Sequence, residues 1–328
     1  MKNVIFIIVS VFIILYIIDR KKPTPLLLKN NMNDNLSEKN YIDILTENII
    51  NNIKEINPLK SDYVWTYIEI DDIDINHQNL YKKYSVNPFY IECVKKMKES
   101  INDLIILTPM NIRYYLPDFY LIMSPKSPID NKKRIDLLFA QIIENYGGLC
   151  ISPGTIVYNI QPILNRVGSF DLVTVGDDLT ILHNFDNKYN PNNYIIGGKK
   201  NTDFIKEYSR MLRLSIETEY ENEIRSFYDI KHLKTQNILE NVIQQTIIDN
   251  DIHYHFNSSY DGTIDSNMNI LTLDNYLGTQ NITFKDNLLV VSFPYDKLSI
   301  NIKYRWFRDL DYISFSSSNL EINRLLNI

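Results

Sequence analysis

Residues 131–151 read NKKRIDLLFAQIIENYGGLCI and contain the features that decide the fold. Apolar side chains recur there at the spacing of one helix face, at Ile135, Leu138, Phe139, Ile142 and Tyr146. We therefore predict a helix from Asn131 to Tyr146, which ends because Gly147 and Gly148 follow it. Residues 149–151 are apolar and predict a buried strand directly after the helix. A helix that leads straight into a buried strand is typical of an α/β domain with a parallel sheet.

The sequence on both sides repeats this alternation of strand and helix. Apolar, β-branched or aromatic runs predict strands at residues 63–70, 103–108, 155–158, 170–175, 179–182, 194–196 and 288–293. Helices are predicted at residues 88–101, 202–219, 238–248 and 318–326. The predicted class is therefore α/β, with a Rossmann-like, mainly parallel sheet and helices that flank it.

The composition is that of a globular protein. Of 328 residues, 45% are hydrophobic, and 34 Lys and Arg against 40 Asp and Glu give a net charge of −6. An acidic chain with scattered cations would repel phosphate backbones, so we expect no nucleic-acid partner. The two cysteines, Cys93 and Cys150, exclude a disulfide framework but leave a single bridge open. Because biased codon usage explains the many asparagines, we interpret Asn190, Asn192 and Asn193 as loop filler.

The amino terminus predicts a membrane anchor. Residues 4–18 read VIFIIVSVFIILYII, which as a helix would be roughly 22 Å long, against a hydrocarbon core of about 30 Å. Lys2 and Arg20 can extend the span by snorkelling. We predict a single-pass transmembrane anchor at residues 1–22. A cleaved signal peptide is the alternative, although its usual small-residue cleavage site is missing after Ile18.

The rest of the chain is predicted to be a tether and one large domain. Residues 23–61 combine a polar, proline-containing stretch with a short amphipathic helix, and residues 62–328 form the domain. One cation precedes the anchor and three follow it, which predicts that the domain lies on the cytosolic side of a viral or host membrane. The glycosylation sequons at Asn35, Asn257 and Asn281 argue for the other side, so the orientation stays open.

Asp136, the Gly147–Gly148 pair and the strand that ends before Ser152 carry a family resemblance. In this order they resemble the core of glycosyltransferases of the capsular-polysaccharide and DXD sugar-binding group. Those proteins carry a helix with Asp-x-x-Arg, a Gly-Gly pair and a strand that ends in Asp-x-Asp. The resemblance covers roughly residues 63–214 and implies a GT-A fold, a nucleotide-sugar donor, hexosyl transfer and a Mn²⁺ or Mg²⁺ ion. Residues 293–296 and 304–307 are similar to uncharacterised proteins of giant DNA viruses.

The departures from the family pattern concern the metal. Ser152-Pro153-Gly154 stands where the resemblance implies Asp-x-Asp, and Phe139 stands where it implies Arg. Neither Ser152 nor Gly154 can replace a carboxylate as a ligand of Mn²⁺ or Mg²⁺, so we expect no metal cofactor. The donor-binding residues that the resemblance then implies, with two lysines that could neutralise the diphosphate, are Asp136, Gly147, Gly148, Ser152, Gly154, Lys199 and Lys200.

Other residues are weaker candidates for chemistry. Asp177 and Asp178 could form a catalytic base, although a plain hairpin turn explains them as well. Asp72 and Asp74 could bind a cation or form a solvated loop. His253 and His255 would share one face of a strand and could bind a metal with Asp249 or Asp251, but no third ligand has diagnostic spacing. Trp306, within Arg305–Arg308, could stack on a sugar or pack into the core.

Three functions remain open from the sequence. The leading one is a membrane-anchored glycosyltransferase-like protein without metal-dependent catalysis, a pseudoenzyme that binds a sugar or another protein. The first alternative is an active, metal-independent transferase that uses a nucleotide-sugar. The second is a structural viral membrane protein, because a fold alone does not determine a function. Whether the chain is an enzyme stays open.

Overall fold

The computed structural model describes the central and C-terminal parts of the chain. The described residues are 54–57, 60, 62–68, 88–121, 123, 131–176, 191–225, 238–239, 241–243, 252–293 and 302–327. All of them lie in the unit Leu45–Ile328. The predicted anchor at residues 1–22, most of the tether, and Asp72, Asp74, Asp177 and Asp178 lie outside the described residues. Within the described ranges, no helix is both long and apolar enough to cross a membrane.

A six-stranded sheet forms the centre of the domain. The strands of the chain are β1 (Val64–Tyr67), β2 (Leu104–Leu107), β3 (Gly148–Ile151), β4 (Thr155–Val157), β5 (Leu172–Val175), β6 (Ile195–Gly198), β7 (His253–Phe256) and β8 (Val290–Ser292). The sheet has the order β2-β1-β3-β6-β5-β7. Only β6 runs against its neighbours, since β1 is parallel to β2 and β3, and β5 is parallel to β7.

Helices cover both faces of this sheet. Among the described residues, the helices include α1 (Pro88–Ser100), α2 (Ile112–Tyr115), α3 (Asn131–Tyr146), α4 (Gln161–Val167), α5 (Asp203–Arg225), α6 (Leu273–Tyr276), α7 (Arg305–Arg308), α8 (Tyr312–Ser316) and α9 (Glu321–Leu326). Helices α3 and α5 pack on one face, and α1 and α4 pack on the other. The predicted α/β class, with a mainly parallel sheet and flanking helices, is therefore confirmed.

The alternation of side chains along each strand explains the two faces. In β1, Trp65 and Tyr67 enter the core under α3 and α5, whereas Val64 enters the core under α1 and α4. Every residue of β1, β2, β3 and β5 is buried, as expected for parallel strands covered on both faces. Burial by helices on both sides is the reason that these strands read as continuous apolar runs.

The close approach of β3 to β1 requires a glycine. Gly148 has a φ of 99°, and a Cβ at this position would lie 2.3 Å from the carbonyl oxygen of Tyr63. That oxygen accepts a hydrogen bond from the amide of Leu149 at 2.7 Å. The indole nitrogen of Trp65 donates to the carbonyl of Gly147 at 3.1 Å and closes the same junction. The glycine pair at the end of α3 therefore allows two backbones to pack together.

The C-terminal part adds a separate layer. The predicted strand at residues 155–158 exists as β4, but it pairs with β8 in a second, two-stranded antiparallel sheet. Phe89, Phe293 and Phe307 form the centre of the core beside that sheet. The side chain of Phe307 is fully buried, whereas that of Trp306 is 44% exposed. The expectation that Trp306 packs into the core is therefore wrong, and Phe307 takes that place.

Both cysteines are free thiols inside the domain. Cys93 lies on α1 and Cys150 on β3, and neither forms a disulfide. Burial raises the pKa of both thiols, so they stay protonated near neutral pH. The bridge that the sequence left open is not formed, and both residues pack as small apolar side chains.

Replacing Gly148 with alanine tests the junction between β1 and β3. We expect a loss of about 3 kcal/mol of unfolding free energy, because strain at a positive φ adds to overlap with the Tyr63 backbone. The control is Gly154→Ala, where the nearest atom to the new Cβ is Cε1 of Tyr90 at 3.2 Å. We expect a smaller loss there, of about 1 kcal/mol or less. Thermal unfolding measures both changes, and equal midpoints for the two variants would contradict this account.

Candidate functional site

The parallel strands end at one edge of the sheet, which we call the carboxyl edge. Ser152 follows β3 at this edge and Gly176 follows β5. Residues 192–194 lie there too, because β6 is antiparallel and Ile195 pairs with Ile151. From β1 the chain passes through α1 to β2, and from β2 it passes through α3 to β3 on the opposite side of β1. Open α/β sheets bind ligands at the carboxyl edge where the chain direction switches in this way.

Asn192 and Asn193 hold this edge together. Both side chains are 3% exposed, and each donates its amide to a different buried carboxylate. Asn192 donates to Asp261 at 3.1 Å, and Asn193 donates to Asp136 at 2.7 Å. We call these two residues the asparagine pair. Their interpretation as loop filler is wrong, because a buried carboxylate without a donor would be strongly destabilising.

Asp136 lies in a buried polar cluster on α3. Its side chain is 4% exposed, and Lys132, one helical turn earlier, places Nζ 3.7 Å from Oδ1 of Asp136. The same ammonium group donates to Oδ1 of Asn193 at 2.5 Å and lies 4.8 Å from the ring centre of Tyr194. Burial, and next the charge of Asp136, raises the pKa of the Tyr208 phenol on α5, which stays neutral. The cluster therefore ties α3 and α5 to the start of β6.

Asp261 forms the second buried cluster of the edge. Its side chain is fully buried, and its Oδ1 accepts hydrogen bonds from the amide and the hydroxyl of Thr263. Gly176 has a φ of 83°, and a Cβ there would lie 1.8 Å from Oδ2 of Asp261. The backbone amide of Asn192 donates to the carbonyl of Gly176 at 3.0 Å. Gly176 is thus the residue that lets the carboxylate reach the end of β5.

The first turn of α3 concentrates positive charge at the carboxyl edge. Lys132, Lys133 and Arg134 follow one another there, and the turn contains no acidic residue. A helix N-terminus is the positive end of the helix dipole, so cations in this turn are unfavourable unless an anion balances them. Lys133 and Arg134 are buried, whereas the side chain of Lys132 is 19% exposed. Of these three cationic side chains, that of Lys132 is therefore the most exposed.

The predicted donor-binding residues fall into two groups. Asp136, Ser152 and Gly154 belong to the carboxyl edge, where the amide of Ser152 donates to the carbonyl of Tyr194 at 2.7 Å. Gly147, Gly148, Lys199 and Lys200 lie at the opposite end of β3, because Gly148 pairs with Gly198. The four-residue strand between the groups is about 13 Å long. The structure does not bring Lys199 and Lys200 to Ser152, and Lys199 lies 3.8 Å from Asp171 instead.

The two described carboxylates of the edge, those of Asp136 and Asp261, do not fit a divalent cation. Asp136 has the amide of Asn193 on Oδ2 and the ammonium of Lys132 near Oδ1. Asp261 has both of its oxygens occupied by N–H and O–H donors. Mn²⁺ and Mg²⁺ need oxygen lone pairs that face the ion, and here donors face those lone pairs. Across the described residues, no three His, Cys, Asp or Glu side chains form a group that could hold a metal.

His253 and His255 share one face of β7, as predicted, but they meet a threonine there. The Thr174 hydroxyl lies 2.8 Å from Nε2 of His253 and 2.9 Å from Nδ1 of His255. One hydroxyl carries one proton, so it donates to one imidazole and accepts from the other. Burial lowers the pKa of His253 to about 4, with a further contribution from His255. Asp249 and Asp251, the predicted partner ligands, lie outside the described residues.

Comparison with known proteins adds no functional assignment. No protein-family model matches the chain, and no curated protein matches it either. The function must therefore be argued from the geometry of the carboxyl edge.

Sequence reasoning missed Lys132, the asparagine pair and Asp261 at this edge. One signal was present in the sequence, since three consecutive cations begin a helix whose first turn contains no acidic residue. The contacts of Asn192, Asn193 and Asp261 have no comparable signal, because their partners lie 57 and 69 residues away in the chain. Only the paired strands bring these side chains together.

A double-mutant cycle tests the bond between Asn193 and Asp136. We expect Asn193→Ala and Asp136→Ala to show a coupling of about 1–3 kcal/mol in the free energy of unfolding, because a buried carboxylate loses its donor. The matched control pairs Asp136→Ala with Asn192→Ala, because the side-chain amide of Asn192 donates to Asp261 and not to Asp136. Coupling in that control should stay within about 0.5 kcal/mol. A coupling as large in the control as in the test pair would contradict the assignment of one carboxylate to each asparagine.

The pH dependence of stability tests the histidine pair. The folded chain binds the His253 proton only near pH 4, whereas an unfolded histidine binds it near pH 6.5. Stability should therefore be fully present above pH 6.5 and decrease as the pH falls towards 4, by at most about 3 kcal/mol. Chemical denaturation at several pH values measures this slope. His253→Gln should flatten the slope in this window, and an unchanged slope would show that other groups cause it.

Proposed function

We propose that the chain is a membrane-tethered, glycosyltransferase-like protein of the GT-A type that binds a nucleotide-sugar without a divalent cation. The observation that carries this proposal is the cationic first turn of α3 at the carboxyl edge, with Lys132 partly exposed. The membrane tether rests on residues 4–18, and the family on the resemblance around Asp136 and the Gly147–Gly148 pair.

The arrangement of the sheet supports a ligand at this edge. The chain switches direction between β1 and β3, and Ser152 leaves β3 at that point. Ser152 is half-buried in the turn that follows β3. The resemblance also implies that this turn contacts the donor, and this supports the proposal.

Positive charge can do here what a metal ion does in the related pattern. A departing nucleoside diphosphate carries negative charge, and fixed cations or helix N-terminal amides can stabilise it. Lys132 and the N-terminus of α3 supply both at the carboxyl edge. In this proposal Asp136 and Asn193 position the Lys132 ammonium, since both lie within 4 Å of it. Lys199 and Lys200 have no part in it, because they lie at the other end of β3.

A panel of nucleotide-sugars tests the proposal by thermal unfolding of the full chain. The probes are UDP-glucose, UDP-N-acetylglucosamine and GDP-mannose, each with Mn²⁺ and with EDTA. A ligand at 100 times its dissociation constant adds about 2.7 kcal/mol, which is a shift of several degrees. We expect one of the probes to give such a shift with no effect of Mn²⁺. A panel without any shift would exclude the donor site and leave the structural alternative.

Matched lysine variants test the place of binding. Lys132→Met should weaken the nucleotide-sugar by roughly 10- to 100-fold, because it removes a charge-assisted contact of about 1.5–3 kcal/mol. The control, Lys199→Met with Lys200→Met, should leave the affinity unchanged. Loss of binding in the control variant and not in Lys132→Met would move the site to the opposite edge and contradict this assignment.

A further inference from the structure

A polar groove lies between two loops on the C-terminal side of the domain. It has a volume of about 580 Å³ and is lined by residues of the stretches 265–271 and 274–283. We call it the loop groove. This volume is within the range of about 300–1,000 Å³ that is usual for small-molecule sites. Asp265 is four residues from Asp261, so the groove begins within about 14 Å of the carboxyl edge.

Hydrogen bonds between the walls of the groove and from α9 behind it hold the two walls in place. The amide of Ser266 donates to the carbonyl of Thr283 at 2.8 Å and joins the walls. The buried carboxylate of Glu321, on α9, accepts from the amide of Ile282 at 2.7 Å. The amide of Glu321 donates in turn to the carbonyl of Gly278 at 2.8 Å. The loop groove is therefore built before a ligand arrives, which lowers the entropic cost of binding.

The two carboxylates of the groove already have hydrogen-bond donors. Asp265 accepts from the side-chain amide of Asn269 and from the backbone amides of Asn269 and Asn267, each at 2.8 Å, and these bonds lower its pKa. Asp274 accepts from the ammonium of Lys303 at 2.6 Å and from the hydroxyl of Tyr304 at 2.9 Å. Asp274 is therefore paired with a cation, whereas Asp265 stays ionised and both of its oxygens accept amide hydrogen bonds.

The other groups of the groove are neutral and both donate and accept hydrogen bonds. They are the hydroxyls of Ser266, Thr279 and Thr283 and the amides of Asn267, Asn275, Gln280 and Asn281. Among the described lining residues there is no Lys, Arg, His or aromatic residue, so these residues offer a phosphate no cation. A surface of mixed hydroxyls and amides matches the hydroxyl groups of a sugar, each of which can also donate and accept.

We propose that the loop groove binds a neutral oligosaccharide. This goes beyond the nucleotide-sugar proposal, because it depends on the hydroxyl and amide lining and not on the cations of α3. The two sites differ in chemistry, since one depends on cations and the other on hydroxyls and amides, so either proposal can be wrong while the other holds.

Saturation-transfer NMR on the full chain tests this proposal. The protein is produced in bacteria, so that the sequon at Asn281 carries no glycan, and kept in a detergent without a sugar headgroup. The probes are maltotriose, mannotriose, cellotriose and triacetylchitotriose, with trilysine as a cationic comparison. We expect at least one trisaccharide to bind and trilysine not to bind. Binding of trilysine alone, or of no probe, would overturn the proposal.

Matched variants locate the binding. Thr279 and Gln280 are exposed, so Thr279→Val with Gln280→Leu removes polar atoms without disturbing the core. This variant should bind the trisaccharide at least tenfold more weakly, with an unchanged unfolding midpoint. The control Gln161→Leu changes an exposed residue of α4, and it should bind as the parent does. Lys132→Met should also keep trisaccharide binding. Full binding in the groove variant would overturn the proposal, whatever the nucleotide-sugar panel shows.

Discussion

The backbone contact between β1 and β3 is the constraint on which the rest of the domain depends. Gly148 must lack a side chain there, since a Cβ would overlap the carbonyl of Tyr63. Because β2 and β3 lie on opposite sides of β1, right-handed crossover connections place α1 and α3 on opposite faces of the sheet. The connections therefore diverge at the carboxyl edge between β1 and β3. The position of the candidate site thus follows from the order of the strands, to which the contact between β1 and β3 contributes.

At the carboxyl edge, the two described buried carboxylates already have hydrogen-bond donors. A carboxylate out of water needs donors, and the asparagine pair supplies one to Asp136 and one to Asp261. The same bonds leave these carboxylates poor ligands for a cation. The positive charge at this edge comes from Lys132. Its ammonium group donates a hydrogen bond to Asn193 and makes a cation–π contact with the ring of Tyr194. Stability and ligand chemistry therefore depend on one set of contacts.

Much of the fold could be predicted because it depends on residues that are close together in the chain. The 3.6-residue spacing before Gly147 predicts α3, and the apolar run after it predicts β3, since both patterns concern neighbours in the chain. The small sheet of β4 and β8 could not be predicted in the same way, because its strands are more than 130 residues apart. The choice between Trp306 and Phe307 for the core was equally out of reach, as both are aromatic and adjacent.

The sequence by itself determined the α/β class, the helix and glycine pair that begin β3, and the lack of carboxylates at Ser152-Pro153-Gly154. Only the tertiary structure decided which of the candidate residues share a place. Because β6 runs antiparallel to β3, its first residue meets the end of β3 and its last residue meets the beginning. That single reversal carries Asn193 to Asp136 and takes Lys199 and Lys200 to the opposite edge. Strand direction depends on pairing between distant strands, so a local sequence pattern does not predict it.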